Sequence, residues 1–405
     1  VVHEIPRNLK ELGYQINEKG QFLTLEGEIY NFDVKERSYN EALYDVIIEL
    51  LMEWVEERLQ NDFGLQKILL PINATKDDIH SKIYVSPDYL ENDKMMIFIP
   101  GTANMIGCWS RRVMIDVSIN DGSMISYVKR AREMGFSVII VNPNEVFWYK
   151  GKAVVRSETP ESHTNYVFEN FVIPSSANKI FIVANSYGGH CAVDVMQNFF
   201  ELLKNRVKGI EFTETTHSID FVKTILVRYW IIKNCRNWLM SSEPAGSEIR
   251  DSRFGCISFS SGAENNEFVT YEVIDRVFEH VAKKLEQLEN GATESNDENE
   301  EDIEDEYLNE PSFFQNTIID DVQDKVAYRP IHSSIHTKLA EALKPIDLEI
   351  INESDLHAHH QAMKDVSSNE THFRWIYQLL GEELKRGVHA LSIKAKTPKE
   401  INKEN

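Results

Sequence analysis

One short stretch of the chain carries residues that could form a nucleophilic serine site. Residues 182–191 read I-V-A-N-S-Y-G-G-H-C, so Ser186 directly follows an apolar, β-branched run and precedes a pair of glycines. On a sharp strand-to-helix turn, a serine exposes its hydroxyl, and small residues two positions away, here Ala184 and Gly188, relieve the crowding. The backbone N–H of Tyr187 would then face a developing oxyanion. The alternative is a serine that only caps the following helix.

A nucleophilic serine also needs a base, usually an imidazole that a carboxylate orients. Along a sheet with such a turn, the acid follows a later strand and the histidine comes last. Glu214 and Asp220 follow the apolar run at 207–212 and could supply the acid. The stretch after the last apolar run, 259–268, reads F-S-S-G-A-E-N-N-E-F and contains no histidine. The nearby candidate base is His217, which lies close to the acid in sequence.

The elements that would position these residues alternate along the first 285 residues. Four short apolar runs are typical of strands buried on both faces of a parallel sheet. They span 95–99, 136–141, 179–183 and 255–259. Helical patterns lie at 39–59, 123–134, 192–203 and 271–288. This alternation predicts an α/β fold with a mostly parallel, doubly wound sheet.

The charge of the chain is unevenly distributed. The formal net charge is −22, and residues 286–310 hold twelve Asp or Glu but no Lys or Arg. This balance argues against direct nucleic-acid binding, which needs clustered cationic side chains. Because the segment 286–311 has few apolar side chains to offset chain entropy, we expect an acidic disordered linker there. A binding site for a basic partner is the alternative.

The remaining composition is that of a chain without a membrane span. No stretch approaches the ~18 uninterrupted apolar residues that a membrane helix requires. The chain's four cysteines show no C-x-x-C spacing, which favours a reducing compartment and core packing over disulfides or zinc.

Five separated motifs point to a known family. They are N-E-K-G-Q at 17–21, W-S-R-R at 109–112, V-N-P-N at 141–144, N-S-Y-G-G at 185–189 and N-W-L-M-S-S-E-P at 237–244. Together they resemble the argonaute-binding domain of the cotranscriptional-regulator family, a branch of the α/β-hydrolase superfamily. The resemblance covers residues 9–285, and we assign 1–285 to this α/β-hydrolase-like domain.

The resemblance implies roles for individual residues. It implies a nucleophile at Ser186, an acid at Glu214 and a neighbouring histidine at His217. It puts the base at Asn266, and asparagine has no titratable proton near neutral pH. Gly101 falls in the oxyanion region, where Pro100 replaces a histidine. The histidine that precedes the nucleophile in the family is replaced by Asn185.

A loop after the first core strand is a candidate binding surface. Trp109, Arg111 and Arg112 lie there, where binding loops often sit above an α/β sheet. We expect these three side chains to line the site over Ser186. The alternative is that Trp109 packs in the core and the arginines pair with surface acids.

The C-terminal part of the chain resembles a second family. The phrases I-H-T-K-L-A-E-A-L-K-P, L-E-I-I-N-E-S, E-T-H-F and G-V-H-A-L-S-I-K-A-K-T-P occur in order within 335–398. They resemble a BolA domain, which we assign to 332–400 after an irregular connector at 312–331. The segment 373–377 joins two phrases directly and omits the family's middle strand, so we expect a truncated unit.

The BolA resemblance implies iron–sulfur chemistry. BolA proteins pair with monothiol glutaredoxins and share a two-iron two-sulfur cluster, for which the matching ligands are His357 and His389. Imidazole in place of thiolate raises the cluster's potential. The alternative is a vestigial unit whose histidines face solvent.

These observations favour an interaction protein over an enzyme. Members of the first family are linked to argonaute proteins, chromatin and splicing, which implies a nuclear or cytoplasmic location; the sequence does not exclude a mitochondrial one. The main domain needs no cofactor. Two alternatives remain open at this point: a serine hydrolase or esterase that uses Ser186, and a protein of iron–sulfur handling that acts through its tail.

Overall fold

The computed structural model describes residues 5–31, 37–102, 104–145, 147–148 and 152–290, together with two strands at 347–351 and 392–396. The chain divides into two compact units, Val1–Glu310 and Pro311–Asn405. The predicted α/β fold is confirmed in the first unit, where strands and helices alternate from residue 66 onward.

In the described residues, the first unit has thirteen strands. They are β1 Tyr14–Ile16, β2 Phe22–Thr24, β3 Gln66–Leu70, β4 Ser81–Val85, β5 Lys94–Ile99, β6 Ser137–Ile140, β7 Phe147–Trp148, β8 Lys152–Ala153, β9 Lys179–Asn185, β10 Val207–Thr213, β11 Cys235–Leu239, β12 Glu248–Ile249 and β13 Ile257–Ser260. Strands β1 with β2, and β7 with β8, form two small antiparallel pairs. The other nine form the central sheet.

The central sheet has the order β12-β13-β11-β10-β9-β5-β6-β4-β3. Neighbours from β6 to β13 are parallel, and β4 is antiparallel to both β3 and β6. From β3 to β13, this order with its reversed second strand is the arrangement of an α/β-hydrolase sheet. Because parallel strands end at the same edge, the residues after β5, β9, β10, β11 and β13 gather at one end of the molecule.

Helices cover both faces of the sheet. They are α1 Arg37–Asn61, α2 Arg111–Asp116, α3 Ile119–Gly122, α4 Ile125–Glu133, α5 Pro160–Val167, α6 Tyr187–Asn198, α7 Phe200–Leu203, α8 Ile225–Asn234, α9 Val269–Glu272 and α10 Ile274–Glu289. One core cluster holds the buried side chains of α1, α4 and α10, and a second holds those of α5, α6 and α8. The central strands are buried on both sides between these layers, which explains their continuous apolar runs.

Most element boundaries differ from the sequence prediction by one to five residues, and three of these differences bear on the site or the linker. The last core strand begins at Ile257, because a short 3₁₀ turn and Gly255, with φ 61°, occupy the residues before it. Helix α6 begins five residues earlier than predicted, directly after Ser186. Helix α10 continues through Glu289. Its buried face ends at Leu285, and the acidic side chains of the last turn follow on the same helix. The helix therefore extends into the predicted linker 286–311, whose residues from 291 on lie outside the described residues.

In the second unit, two strands are described. Strands β14, Asp347–Ile351, and β15, Ser392–Lys396, pair in antiparallel fashion with Ile350 opposite Ile393. Both lie within the predicted BolA-like segment. The connector at 312–331 and the rest of the segment 332–400 lie outside the described residues.

Candidate functional site

Ser186 occupies a strained turn between β9 and α6. Its backbone has φ 49° and ψ −122°, a conformation that L-residues rarely adopt and that costs of order 1–3 kcal/mol. Its side chain makes no capping hydrogen bond with the helix, so the capping alternative does not hold. Gly188 permits the close approach of the helix, because a Cβ there would lie 2.5 Å from the carbonyl oxygen of Ile99. The sequence I-V-A-N-S-Y-G-G therefore forms the predicted nucleophile-elbow geometry.

The end of β5 approaches the same turn. A Cβ on Gly101 would lie 2.5 Å from Asn185 Oδ1 and 2.9 Å from Ser186 Cβ, so only glycine fits there. Asn144, at the end of β6, donates from Nδ2 to the carbonyl oxygens of Gly101 (2.7 Å) and Asn104 (2.9 Å). Asn144 thus holds the loop that carries Gly101 against the elbow. The motif V-N-P-N after a parallel strand was a signal for this role.

A cavity of about 660 Å³ opens above the elbow. It brings together seven residues that the sequence analysis named: Gly101, Trp109, Asn185, Ser186, Glu214, His217 and Asn266. Sequence reasoning missed other polar residues in its lining: Thr102, Asn104, Ser110, Thr215, Thr216, Ser218, Arg253 and Glu267. Three other predicted residues are not part of the cavity lining as described: Tyr187, Arg111 and Arg112. The volume lies in the range of small-molecule and side-chain pockets.

Glu214 follows β10 and faces this cavity. Its backbone is also in the left-handed region, with φ 50°. The Met240 amide donates a short hydrogen bond to Glu214 Oε1. Burial raises the pKa of the Glu214 carboxyl, and the Met240 amide only partly opposes this shift. Glu214 is therefore a half-buried acid that the described residues supply with one hydrogen bond and no ion pair.

His217 lines the cavity, but both of its ring nitrogens form hydrogen bonds with groups other than Ser186. Nε2 lies 2.8 Å from the carbonyl oxygen of Phe254, so Nε2 carries the proton, and Nδ1 accepts from the Thr215 hydroxyl at 2.7 Å. The ring packs 4.5 Å from that of Phe212 and is 2% exposed. Burial lowers the pKa of His217 to about 4, so the ring is neutral near pH 7. In the described part of the chain, no imidazole is hydrogen-bonded to the Ser186 hydroxyl.

The two asparagines at the family's histidine positions differ in environment. Asn185 is buried, and its Nδ2 donates to Thr213 and to Thr270 Oγ1 at 3.1 Å. Asn266 lies exposed on a 3₁₀ turn after β13 and lines the cavity. Neither can take a proton from Ser186 near neutral pH. Among the residues that the structure describes, the site thus holds a serine and an acid without a base between them.

The predicted binding loop is mainly structural. Trp109 is 3% exposed and packs edge-on against Phe98, with ring centroids 5.9 Å apart, although it also contributes to the cavity wall. Arg112 forms an ion pair with Asp116 at 3.2 Å and lies over the ring of Phe268. The structure places the two arginines outside the cavity lining, because α2 begins at Arg111 and carries them onto its own surface.

The described residues were compared with the requirements of a metal site and of a membrane-spanning helix. There, no group of three or more His, Cys, Asp or Glu side chains could hold a metal ion, and no helix is long and apolar enough to span a bilayer. All four cysteines are buried free thiols. The predicted cluster ligands His357 and His389 lie outside the described residues.

Known proteins resemble both parts of the chain. The Arb2 domain model matches residues 5–157 and 151–245. Cotranscriptional regulator ARB2A homolog of Xenopus tropicalis is 29% identical over 68% of this chain and 79% of its own length. Cotranscriptional regulator ARB2A of Homo sapiens is 28% identical over 68% of this chain and 80% of its own length.

The C-terminal match is shorter and comes in two pieces. The BolA-like protein model matches residues 339–375 and 374–400, which meet inside the junction at 373–377. Protein BOLA1, chloroplastic, of Arabidopsis thaliana is 40% identical over 17% of this chain and 54% of its own length.

Solved structures resemble the first unit only distantly. The histone deacetylase Clr3 has a TM-score of 0.42 and 17% identity over 60% of this chain and 39% of that chain. A bacterial heroin esterase has a TM-score of 0.35 and 12% identity over 65% of this chain and 95% of that chain. The fold assignment therefore rests on the strand order, and the family assignment on the domain match across more than half of the residues: this chain belongs to the Arb2 domain family.

Proposed function

We propose that this chain is a cotranscriptional regulator that acts by binding partners and not by catalysis. One observation carries the proposal. Ser186 and Glu214 line the same cavity, yet the described histidine beside them, His217, has both ring nitrogens engaged by other groups. A serine without a base is a poor nucleophile. The names of the vertebrate relatives support a regulatory role.

Fluorophosphonate labelling tests the absence of catalysis. We expect the full chain to label far below one equivalent, and Ser186→Ala to label to the same low extent. Stoichiometric labelling that disappears in Ser186→Ala would establish a serine hydrolase and overturn the proposal.

The partners that we propose are nuclear proteins of chromatin or transcription, with argonaute-type and splicing proteins as the specific classes. A location in the nucleus, and in part in the cytoplasm, goes with them. Crosslinking of the tagged chain in cells, followed by precipitation, should recover such proteins. Ser186→Ala should recover them equally well, because a binding role does not need the hydroxyl as a nucleophile. Recovery that depends on Ser186 as an acyl acceptor would contradict the proposal.

A second candidate function belongs to the C-terminal segment. The two-piece BolA-like match favours an interaction with a monothiol glutaredoxin that shares a two-iron two-sulfur cluster through His357 and His389. Reconstitution of the full chain with such a glutaredoxin should produce a visible cluster absorption that His389→Ala reduces. His372→Ala, a change in the same histidine-rich segment, is the matched control. Equal absorption in all three proteins would exclude this role.

A further inference from the structure

The cavity above Ser186 contains an acid that lacks its usual partner. In a serine hydrolase, the carboxylate in this place orients and stabilises an imidazole. Within the described residues, Glu214 receives one hydrogen bond, from the Met240 amide, and it lines a cavity of about 660 Å³. The pKa of Glu214 is raised by burial, which indicates that the described surroundings do not compensate a negative charge there. A ligand that brings a positive charge would compensate it.

The other charged groups of the described lining do not compensate the negative charge of Glu214. Arg253 lies at the cavity, but its guanidinium donates to both carboxylate oxygens of Asp251, from Nε to Oδ1 at 3.0 Å and from Nη2 to Oδ2 at 2.6 Å. Glu267 adds a second carboxylate and accepts a hydrogen bond from the Ser110 hydroxyl at 3.3 Å. His217 is neutral near pH 7 because burial lowers its pKa to about 4. The described lining is therefore net negative.

The elbow beside Glu214 offers the opposite polarity. Tyr187 is the first residue of α6, a helix of twelve residues, and the first N–H groups of a helix have no partner within it. The helix macrodipole adds partial positive charge at this end. The Ser186 hydroxyl lines the cavity next to this helix end and suits a carbonyl oxygen, while Glu214 suits a cation. A polypeptide carries both groups within a few ångströms.

We propose that this cavity binds a lysine- or arginine-bearing segment of a partner polypeptide, with the cationic side chain paired to Glu214 and a backbone carbonyl beside the Ser186 hydroxyl, since both residues line the cavity. The inference rests on the proposed binding function and names the class of partner that this function would use. A cationic side chain takes the position that an imidazole holds in a working triad. The net charge of −22 would also steer a basic segment toward the chain.

The test measures binding of a fluorescein-labelled Gly–Lys repeat peptide to the full chain by fluorescence anisotropy. Glu214→Gln keeps the acceptor for the Met240 amide but removes the charge, so we expect it to weaken binding about tenfold or more, the range of a charge-assisted hydrogen bond. Glu91→Gln is the matched control, since Glu91 is an exposed carboxylate outside the cavity lining. It should change binding less than about twofold. The same peptide with acetylated lysines should bind weakly to the unaltered chain and to both variants.

Equal binding by Glu214→Gln and Glu91→Gln would overturn the proposal, because it would assign the attraction to the acidic segment or to the overall charge. A second measurement locates the peptide even if Glu214→Gln is unstable. The native cysteines are buried, so Ser186→Cys provides an accessible thiol for iodoacetamide. We expect the lysine peptide, but not its acetylated form, to slow alkylation severalfold. Alkylation at an unchanged rate would also overturn the proposal, and neither result would alter the fluorophosphonate outcome that tests the absence of catalysis.

Discussion

Two glutamates at the end of one strand show how differently this chain treats a carboxylate. Glu211 lies within β10 on the face toward α10, is 1% exposed, and accepts from Trp238 Nε1 at 2.8 Å. His280 on α10 donates a short hydrogen bond from Nδ1 to its other oxygen. Glu214, three residues later, has one backbone amide and an open cavity. A hydrogen-bonded acid and imidazole therefore exist in this chain, but neither of them lines the cavity that holds the serine.

The difference separates a structural carboxylate from one that is available to a ligand. A buried charge is tolerated when hydrogen bonds and an opposite charge satisfy its lone pairs, and leaving one partner unpaired is costly. Both oxygens of Glu211 accept hydrogen bonds, from Trp238 and from His280. Glu214 keeps unused acceptor capacity, and both Glu214 and Ser186 have strained backbones with positive φ. Strain and unsatisfied capacity gather at sites of function more than in cores.

The largest effect that the comparison predicts is on stability. Glu211→Ala should lower the free energy of unfolding by about 3–5 kcal/mol, because it leaves the Trp238 and His280 N–H groups buried without a partner. Glu214→Ala should cost about 1 kcal/mol or less, since its partner is one amide near solvent. Urea denaturation followed by tryptophan fluorescence would measure both. Similar losses in the two variants would show that the carboxylates are equivalent.

The sequence was sufficient for the local features of this comparison. The elbow at Ser186 and the core strands were predictable, because apolar runs and small residues act over a few positions. The absence of histidine at 259–268 likewise predicted that this stretch supplies no imidazole to Ser186. The Glu211–His280 contact was not predictable, because the two residues are 69 apart in sequence and meet only once α10 packs on the sheet.

His217 shows the same limit within the site itself. Its position beside the acid was visible in T-E-T-T-H-S, but its partner Phe254 lies 37 residues away. Without that contact, nothing in the sequence fixes which ring nitrogen carries the proton. The arginines of W-S-R-R were misplaced for a related reason: the phase of α2, not the motif, decides which way Arg111 and Arg112 point.

The next effect is on the pH dependence of stability. In the unfolded chain His217 titrates near 6.5, whereas burial lowers its folded pKa to about 4, and burial lowers that of His163 to about 3. Between these values the unfolded state binds more protons, so stability is full above pH 6.5 and is lost as pH falls toward 4. The loss is at most about 1.4 kcal/mol per pH unit for each ring.

Urea denaturation at several pH values between 7 and 4 would measure this slope. His217→Gln should reduce it, while the contribution of His163 remains. A slope that His217→Gln leaves unchanged would mean that the pKa of His217 is the same in the folded and the unfolded chain. Below about pH 6.5 the cavity wall would then carry an imidazolium, which would oppose the proposed pairing of Glu214 with a partner's cation.

A smaller effect concerns the backbone strain at Ser186. Ser186→Gly should stabilise the chain by about 1 kcal/mol, because glycine adopts a positive φ without the steric cost that serine has at 49°. Ser218→Gly is the matched control: its φ of −125° is unstrained and its hydroxyl accepts from the Asp220 amide, so this change should be slightly destabilising. Thermal denaturation would compare the two. Destabilisation by Ser186→Gly would mean that contacts of the hydroxyl outweigh the strain.

The smallest effect is the most informative about the missing imidazole. Asn266 lies exposed on the 3₁₀ turn after β13 and lines the cavity with Ser186 and Glu214, so Asn266→His can bring a ring to the acid without disturbing the core. We expect fluorophosphonate labelling to rise about threefold, well below the gain from a fully positioned base, because no other group holds the ring in place. The rise should follow deprotonation of the ring near pH 6.5. It should vanish in combination with Ser186→Ala, and Glu267→His on the same turn should not reproduce it. Labelling that survives loss of the Ser186 hydroxyl would show that the new histidine reacts by itself, and the comparison of Glu211 with Glu214 would then say nothing about latent catalysis.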